Sequence, residues 1–319
     1  MVDEFSLIDA IKQKHYRQSS LVKGIGDDAA VIQPMQDMVL ASDTFVENVH
    51  FSRNTMNPYH IGYRLLAANL SDMAAMGAVP AFYLVSIVIP KTWTSAEVQG
   101  IFRGMKKLAK KYQTDLIGGD TVSGSELSIT VTILGYADKE RVRYRSAAKP
   151  GDIVFVTGTL GDSQAGFYIL TNPGIYQDKD YFIARHRMPE PRVDFSNRLA
   201  ISRVAFNDIS DGIASEAHEI AAASDVSITF IDECIPVSPS FEQFPKELQQ
   251  KWKFFGGEDF ELLGTVPEKD WDEVEETAAL TKVKLTKVGY VTDEQPGSVF
   301  LIKDDQKIKL PKAGYIHLK

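Results

Sequence analysis

Cysteine is almost absent: Cys234 is the only one in 319 residues, which excludes an intrachain disulfide and a cysteine-rich zinc site. Long apolar runs are missing too. The most apolar stretch, Ala78 to Pro90, is short and is interrupted by Ser86 and two prolines, so it does not read as a membrane span. The segment Met1 to Arg17 carries Asp3 and Glu4 without the apolar region of a secretory signal, and it reads as an amphipathic helix. Together these absences predict a cytoplasmic protein with no membrane partner. Positive charge is the minority: 35 Lys and Arg face 43 Asp and Glu, a formal charge of −8, which works against nucleic-acid binding through phosphate contacts. None of the six histidines lies within four residues of another, so the paired-imidazole spacing of a helical zinc site is lacking. No G-x-x-x-x-G-K-[ST] loop occurs either.

What is present is ordinary globular composition, 44% apolar and 24% charged, in a chain too long for one core. Strand-like runs at Ala30–Gln33, Met38–Phe45, Ala81–Ile89 and Glu126–Ala137 bracket two helices. The first helix follows Asn57-Pro58 and runs to about Met76. The second starts at the capping-box sequence Thr94-Ser95-Ala96-Glu97 and ends near Tyr112. Between Asp138 and Asp152 the character changes, with Arg141, Arg143, Arg145 and Lys149 before Pro150-Gly151. A domain boundary there gives residues 1–147 and 148–319. In the second part, strands are expected near Ile153–Thr157, Val226–Ile231, Phe260–Val266, Lys284–Tyr290 and Val299–Ile302. Helices are expected near Ser163–Leu170, Val193–Val204 and Gly212–Ala223. Both domains read as α/β or α+β.

The chemistry-bearing residues are aspartates beside glycines, serines and strand ends: Asp27 and Asp28, Asp43, Asp72, Asp120, Asp208 and Asp211. Carboxylates in such turns serve as turn formers and caps, or as hard oxygen ligands for magnesium. Asp72 is the most informative, because it falls inside an otherwise apolar or small-residue helix where an unpaired carboxylate is costly. Gly24-Ile25-Gly26-Asp27-Asp28-Ala29 fits the pattern G-x-G-x-x-A, but its glycines lead into two aspartates and a strand, which is wrong for a dinucleotide turn. Arg141, Arg143 and Arg145, spaced by two, would share one side of an extended segment as phosphate contacts or as a charged strand edge. Gly158 to Ser163 precedes a helix and is either an anion site or a cap. The segment Leu70-Ser71-Asp72 is echoed by Ile209-Ser210-Asp211, each with a Gly-Gly-acid triplet downstream.

The ordered set Gly24 to Ala29, Ser42-Asp43-Thr44, Asn48 to Phe51, Asn69 to Gly77, Gly118-Gly119-Asp120-Thr121, Val156 to Thr159, Ser210-Asp211-Gly212, Gly256-Gly257-Glu258-Asp259 and Gly314 to His317 resembles the thiamine-monophosphate kinase family. That family belongs with aminoimidazole ribonucleotide synthetase, selenophosphate synthetase and a hydrogenase maturation protein. The resemblance covers nearly the whole chain. It implies an N-terminal sheet domain that forms a homodimer, a C-terminal α/β domain, and an active site in the cleft between them. ATP would phosphorylate thiamine monophosphate to thiamine diphosphate with several Mg2+ ions. By motif position, Asp28, Ser42, Asp43, Asp72, Asp120, Asp208 and Asp211 would hold Mg2+. Gly119, Asp120, Arg145 and Ser210 would meet ATP, and His50, Glu258 and Tyr315 the substrate. Asp72, Asp120 and Arg145 would be catalytic.

Two departures from the family pattern stand out. Ala41 replaces a hydroxyl residue beside the metal, so any contact there must come from its carbonyl, and the tail ends Leu318-Lys319 where an aromatic is common. The single internal cysteine opposes the selenium and hydrogenase activities, which rely on a reactive cysteine near one terminus. A ring-forming synthetase, a non-catalytic nucleotide or thiamine-phosphate binder, and a structural protein with acidic caps remain as alternatives.

Overall fold

The computed structural model describes residues 4–25, 29–34 and 36–314. The chain divides into two compact units, one of Met1–Met73 and Ala78–Lys139, the other of Ala74–Gly77 and Glu140–Lys319. Both mix helices with sheet, as the sequence predicts. No described helix is long and apolar enough to cross a membrane.

In the first unit α1 (Glu4–Ile11) precedes a small antiparallel pair, β1 (Leu21–Lys23) and β2 (Val31–Ile32). Then come β3 (Asp37–Val46), α2 (Pro58–Ala75), β4 (Val79–Pro90), α3 (Ser95–Lys111), β5 (Asp115–Gly124) and β6 (Ser128–Ala137). The strands order as β3-β6-β4-β5, with β4 and β5 parallel and joined by α3, the helical crossover that a parallel pair requires. Helix α3 starts where its sequence says: Thr94 Oγ1 accepts the Glu97 N–H (3.3 Å) while the Glu97 carboxylate accepts the Thr94 N–H (2.8 Å). Its apolar stripe of Val98, Ile101, Met105 and Leu108 is buried. Register gives the sheet two chemically distinct faces. Phe45, Val85, Ile129 and Val131 are buried on one. The other carries the paired rows Ser42, Thr132 and Thr44, Thr130, Ser86, Asp120.

In the second unit the strands are β7 (Asp152–Thr157), β8 (Ala205–Asp208), β9 (Ser227–Ile231), β10 (Leu262–Pro267), β11 (Leu285–Thr292), β12 (Val299–Lys303) and β13 (Gln306–Lys309). They form one sheet ordered β13-β12-β9-β11-β7-β10-β8, antiparallel except for β9 with β12. The helices are α4 (Asp162–Thr171), α5 (Lys179–Arg187), α6 (Val193–Arg198), α7 (Ile213–Ser224), α8 (Lys246–Phe255) and α9 (Trp271–Thr281). Val154, Val156, Ile220, Phe230 and Leu263 belong to one buried cluster, and Phe155 meets Phe206 and Trp271 edge-on at 5.9 and 5.7 Å.

Two expectations need correction. The helix expected over Val193–Val204 stops at Arg198, and the three arginines do not share one side of an extended segment. The reason is common to both: Arg143 is buried, donates from Nη2 to the Leu199 carbonyl (2.7 Å) and from Nη1 to that of Ile201, and so holds the chain beyond α6 out of the helix. Burial, with Arg141 nearby, lowers the Arg143 pKa to about 10. Arg145 instead opens a 3-10 turn, Arg145–Ala147.

One ionic group organises this unit. Glu261, fully buried, accepts Arg192 Nε (2.6 Å) and Nη2 (2.5 Å), Arg185 Nη2 (2.7 Å) and the Thr157 hydroxyl (2.7 Å). Burial alone would raise its pKa, yet Arg192 and Arg185 hold it below the usual carboxylate range. Glu261→Gln is expected to lower unit stability by about 3–5 kcal/mol, because two guanidiniums lose their buried counter-ion; the urea midpoint measures it. Because the folded pKa is depressed, the stabilisation from Glu261 is present above its ordinary value of 4.5 and is lost as pH falls through the folded value. Acid titration of the midpoint should therefore be flatter in Glu261→Gln than in wild type.

Candidate functional site

In the first unit the structure brings Asp43 and Asp72 together. Asp43 lies on β3 on the face that packs against the helices, and Asp72 is half-buried near the end of α2. Burial pushes the Asp43 carboxyl up, and a hydrogen bond with the Asp72 side chain draws it partly back. Two neighbouring carboxyls repel each other when both are charged, and a cation between them would relieve that repulsion. Asn69, one turn earlier, spends its amide on the Leu65 carbonyl (3.0 Å). Ser42 points to the opposite, polar face, where its hydroxyl bonds Val131 O (3.2 Å) and Thr132 Oγ1 (3.0 Å).

Asp120 is also on the polar face, but on β5. Strands β3 and β5 are the two sheet edges, three strand spacings or roughly 14 Å apart, so Asp120 does not join the Asp43–Asp72 pair within this unit. It is exposed and accepts the Thr121 N–H (2.9 Å). Gly119 beside it has φ 153°, and a Cβ there would stand 1.9 Å from the Val85 carbonyl oxygen, so the position excludes a side chain. Gly119, Asp120, Ser86 and Thr132 line a cavity of about 700 Å3 that Gly24 and Ile25 help to close. A second cavity of about 720 Å3 shares Lys12 and Phe102 with it and adds Lys14, His15, Arg103 and Lys106. This basic wall was not visible as a motif, because its members come from two separate segments.

His50 stacks on Phe45 (5.2 Å between ring centres) and its Nδ1 accepts the Val46 N–H (3.1 Å). That bond places the proton of the neutral ring on Nε2 and makes that edge a donor. The loop around it is pinned by Trp93 Nε1 to Glu47 (3.0 Å) and by Arg53, which lies over the Trp93 ring at 4.1 Å and pairs with Glu97 at 2.6 Å.

In the second unit Asp208 ends β8, and Ser210 and Asp211 form the turn into α7. Arg145 Nε donates to Asn207 Oδ1 (3.1 Å), Asn207 Nδ2 donates to Glu216 (2.7 Å), and Glu216 accepts the Asp211 N–H (3.0 Å). Arg145 also pairs with Glu219 at 2.8 Å. Burial raises the Glu216 pKa to about 9; the charges of Asp208, Glu219 and Asp211 add to this and the Asp211 N–H opposes it. Asn207 and Glu216 were missed from sequence, although Glu216, an acid in an apolar helix, carries the same signal as Asp72. Glu258 is half-buried with φ 69°, its N–H donating to the Ser210 carbonyl (2.7 Å). Gly158 to Ser163 is a cap: the Gly161 and Ser163 N–H groups both go to the Asp259 carboxylate. Asp27, Asp28 and Tyr315 lie outside the described residues, while Gly314 lies against Asp211.

Among the described residues no three His, Cys, Asp or Glu side chains gather into a metal cage. The donor chemistry still fits Mg2+, which is held by one or two carboxylates with water and substrate phosphate completing its shell. The Asp43–Asp72 pair offers two such carboxylates.

The model of the AIR synthase related protein N-terminal domain matches residues 26–137, and that of the C-terminal domain residues 149–302. Thiamine-monophosphate kinase of Bacillus subtilis is 44% identical over the full length of both chains. The crystal structure of thiamine-monophosphate kinase from Stenotrophomonas maltophilia is 32% identical, with a TM-score of 0.84 over 94% of this chain and 96% of that one. A structure of AaThiL complexed with AMPPCP and TMP is 30% identical, with a TM-score of 0.77 over 99% and 97%. With both domain models met in order and such identity held from end to end, this chain belongs to the thiamine-monophosphate kinase family of AIR synthase related proteins.

Proposed function

We propose that the protein transfers the terminal phosphoryl group of ATP to thiamine monophosphate, giving thiamine diphosphate by direct in-line displacement. The observation that carries the chemistry is the Asp43–Asp72 pair, two carboxyls joined by a hydrogen bond where burial disfavours the charge of Asp43. Full-length likeness to thiamine-monophosphate kinases, one of them solved with AMPPCP and TMP, supports the choice of substrates.

In this reading Asp43 and Asp72 in one unit, and Asp208 and Asp211 in the other, hold several Mg2+ ions, with Asp28, Ser42 and Asp120 as further oxygen ligands. Bound Mg2+ supplies relief of repulsion between two polyanions. Gly119 and Asp120 receive ATP in the cavity they line, and the missing side chain at Gly119 lets its strand approach the Val85 backbone closely enough to place Asp120 there. Arg145, oriented by Asn207 and Glu219, neutralises phosphate charge, and Ser210 joins it at the nucleotide. His50 donates from Nε2 to an acceptor on thiamine monophosphate, while Glu258 and Tyr315 complete that subsite. The attacking phosphate oxygen is already ionised near neutral pH, so no strong general base is needed and no phosphoenzyme forms. Residues 1–147 would also carry the homodimer contact through their sheet, and the protein would act in the cytoplasm.

A coupled assay with ATP, thiamine monophosphate and Mg2+, with the product identified by chromatography, tests the reading. Wild type should form thiamine diphosphate, and Asp72→Asn should lower kcat at least about 100-fold. ATP hydrolysis without that product would mean the substrate is wrong, and ATP binding without turnover would mean a sensor. Mg2+ with a non-hydrolysable ATP analogue should raise Tm in wild type, by linkage of binding to folding, and the rise should shrink in Asp72→Asn. An equal rise in both proteins would remove Asp72 from the metal site.

A further inference from the structure

The segment Gly256 to Glu261 holds a backbone conformation that its residues would not choose. Glu258 has φ 69° and Phe260 φ 51°, so two side-chain-bearing residues sit in the left-handed region on either side of Asp259. Such conformations persist only where the surroundings over-determine them, and they gather at ligand sites.

The surroundings here are specific. Asp259 is 1% exposed, and its two carboxylate oxygens accept the Gly161 N–H (2.7 Å) and the Ser163 N–H (3.1 Å). Its carbonyl accepts Arg185 Nη2 (3.3 Å), the guanidinium that also holds Glu261. On either side, the Glu258 N–H donates to the Ser210 carbonyl (2.7 Å), the Phe260 N–H to Ile209 (3.0 Å), and the Ile209 N–H returns to the Glu261 carbonyl (2.7 Å). A Cβ on Gly257 would meet the Ser210 carbonyl oxygen at 2.3 Å, so the loop and the Ser210–Asp211 turn are in backbone contact. Asp259 therefore faces away from the turn, toward the start of α4, while its neighbour is strapped to the turn.

We propose that Asp259 is the positioning residue for Glu258: by taking the two N–H groups at the start of α4, it fixes the left-handed turn that aims the Glu258 carboxylate, and so sets the affinity for thiamine monophosphate. The inference rests on Glu258 being a substrate contact. It asks more of Asp259 than capping α4, because a cap alone has no reason to discriminate between the two substrates. Burial and the nearby Asp162 raise its pKa to about 7, while Arg185 and the two N–H donors oppose the rise, so this carboxylate is kept at a charged-state cost that a water-exposed cap would not bear.

The test is steady-state kinetics of Asp259→Asn, Glu258→Gln and the double variant, each checked for a cooperative melt. An amide in place of the carboxylate turns an NH2 toward one of the two donors and loosens the clamp. Expected is a rise of roughly 10- to 100-fold in KM for thiamine monophosphate in Asp259→Asn, with KM for ATP within about twofold, because displacement of a contact by an ångström is enough for such a loss. In the Glu258→Gln background the same change should add no further rise in that KM. Reversible unfolding would raise the apparent KM for both substrates alike, so general destabilisation does not imitate this split. If Asp259→Asn does not melt cooperatively, Asp259→Glu keeps the negative charge at the two N–H donors but lengthens the side chain by one methylene, shifting the clamp, and should raise the same KM selectively. Unchanged KM for thiamine monophosphate in the folded variant, equal rises for both substrates, or independent multiplication of the two effects would each overturn the proposal while leaving the kinase reading intact. Failure of wild type to make thiamine diphosphate would remove the kinase reading first and the inference with it.

Discussion

The geometry of the second unit depends on one carboxylate that water does not reach. Glu261 closes on two arginines from a helix and a loop, Arg185 and Arg192, and on Thr157 at the end of β7. Its own carbonyl takes the Ile209 N–H, and the next N–H, of Leu262, goes back to the Thr157 hydroxyl (2.8 Å). The start of β10 is thereby locked to β7 on one side and to the end of β8 on the other. Asp208, Ser210, Asp211 and Glu258 all hang from that junction. An isolated buried ion would be costly; here the carboxylate accepts four N–H or O–H contacts, and the cost of burying it becomes a reason for one arrangement to exclude others.

What could be read from sequence was what local chemistry alone decides. The capping box at Thr94 and Glu97 and the apolar stripe behind it fix α3 without help from elsewhere, and the helix appears where they place it. Asp72 stood out because a carboxylate among apolar helical residues needs a partner, and the structure supplies Asp43. What could not be read was decided by distant residues. Strand β5 hides behind Gly118 and Gly119, poor strand formers that become strand by pairing with β4. The end of α6 is set by Arg143, some fifty residues earlier, and no pattern within α6 announces it. The basic cavity wall, with Lys14 and His15 from one segment and Arg103 and Lys106 from another, exists only once α3 is folded against the start of the chain.

The echo between Leu70-Ser71-Asp72 and Ile209-Ser210-Asp211 shows how little identical letters fix. Asp72 lies inside a helix and meets a strand aspartate, whereas Asp211 lies in a turn ahead of a helix, with its N–H on Glu216. Both end as carboxylates beside another acid, reached by different backbones. The two segments therefore do not repeat one structural unit: the same Ser-Asp pair is helix interior in one and turn in the other.

The pairing of β3 has a consequence in time. Its one partner among the described strands is β6, with Asp37 opposite Ala137 and Val46 opposite Ser128. Every residue between must therefore be synthesised before the strand that carries Asp43 acquires a ladder, and until then its edges are open to foreign strands. Strand β7 waits in the same way for β10, since Asp152 pairs with Pro267, so each unit must hold its first long strand unpaired until more than half of that unit has been made.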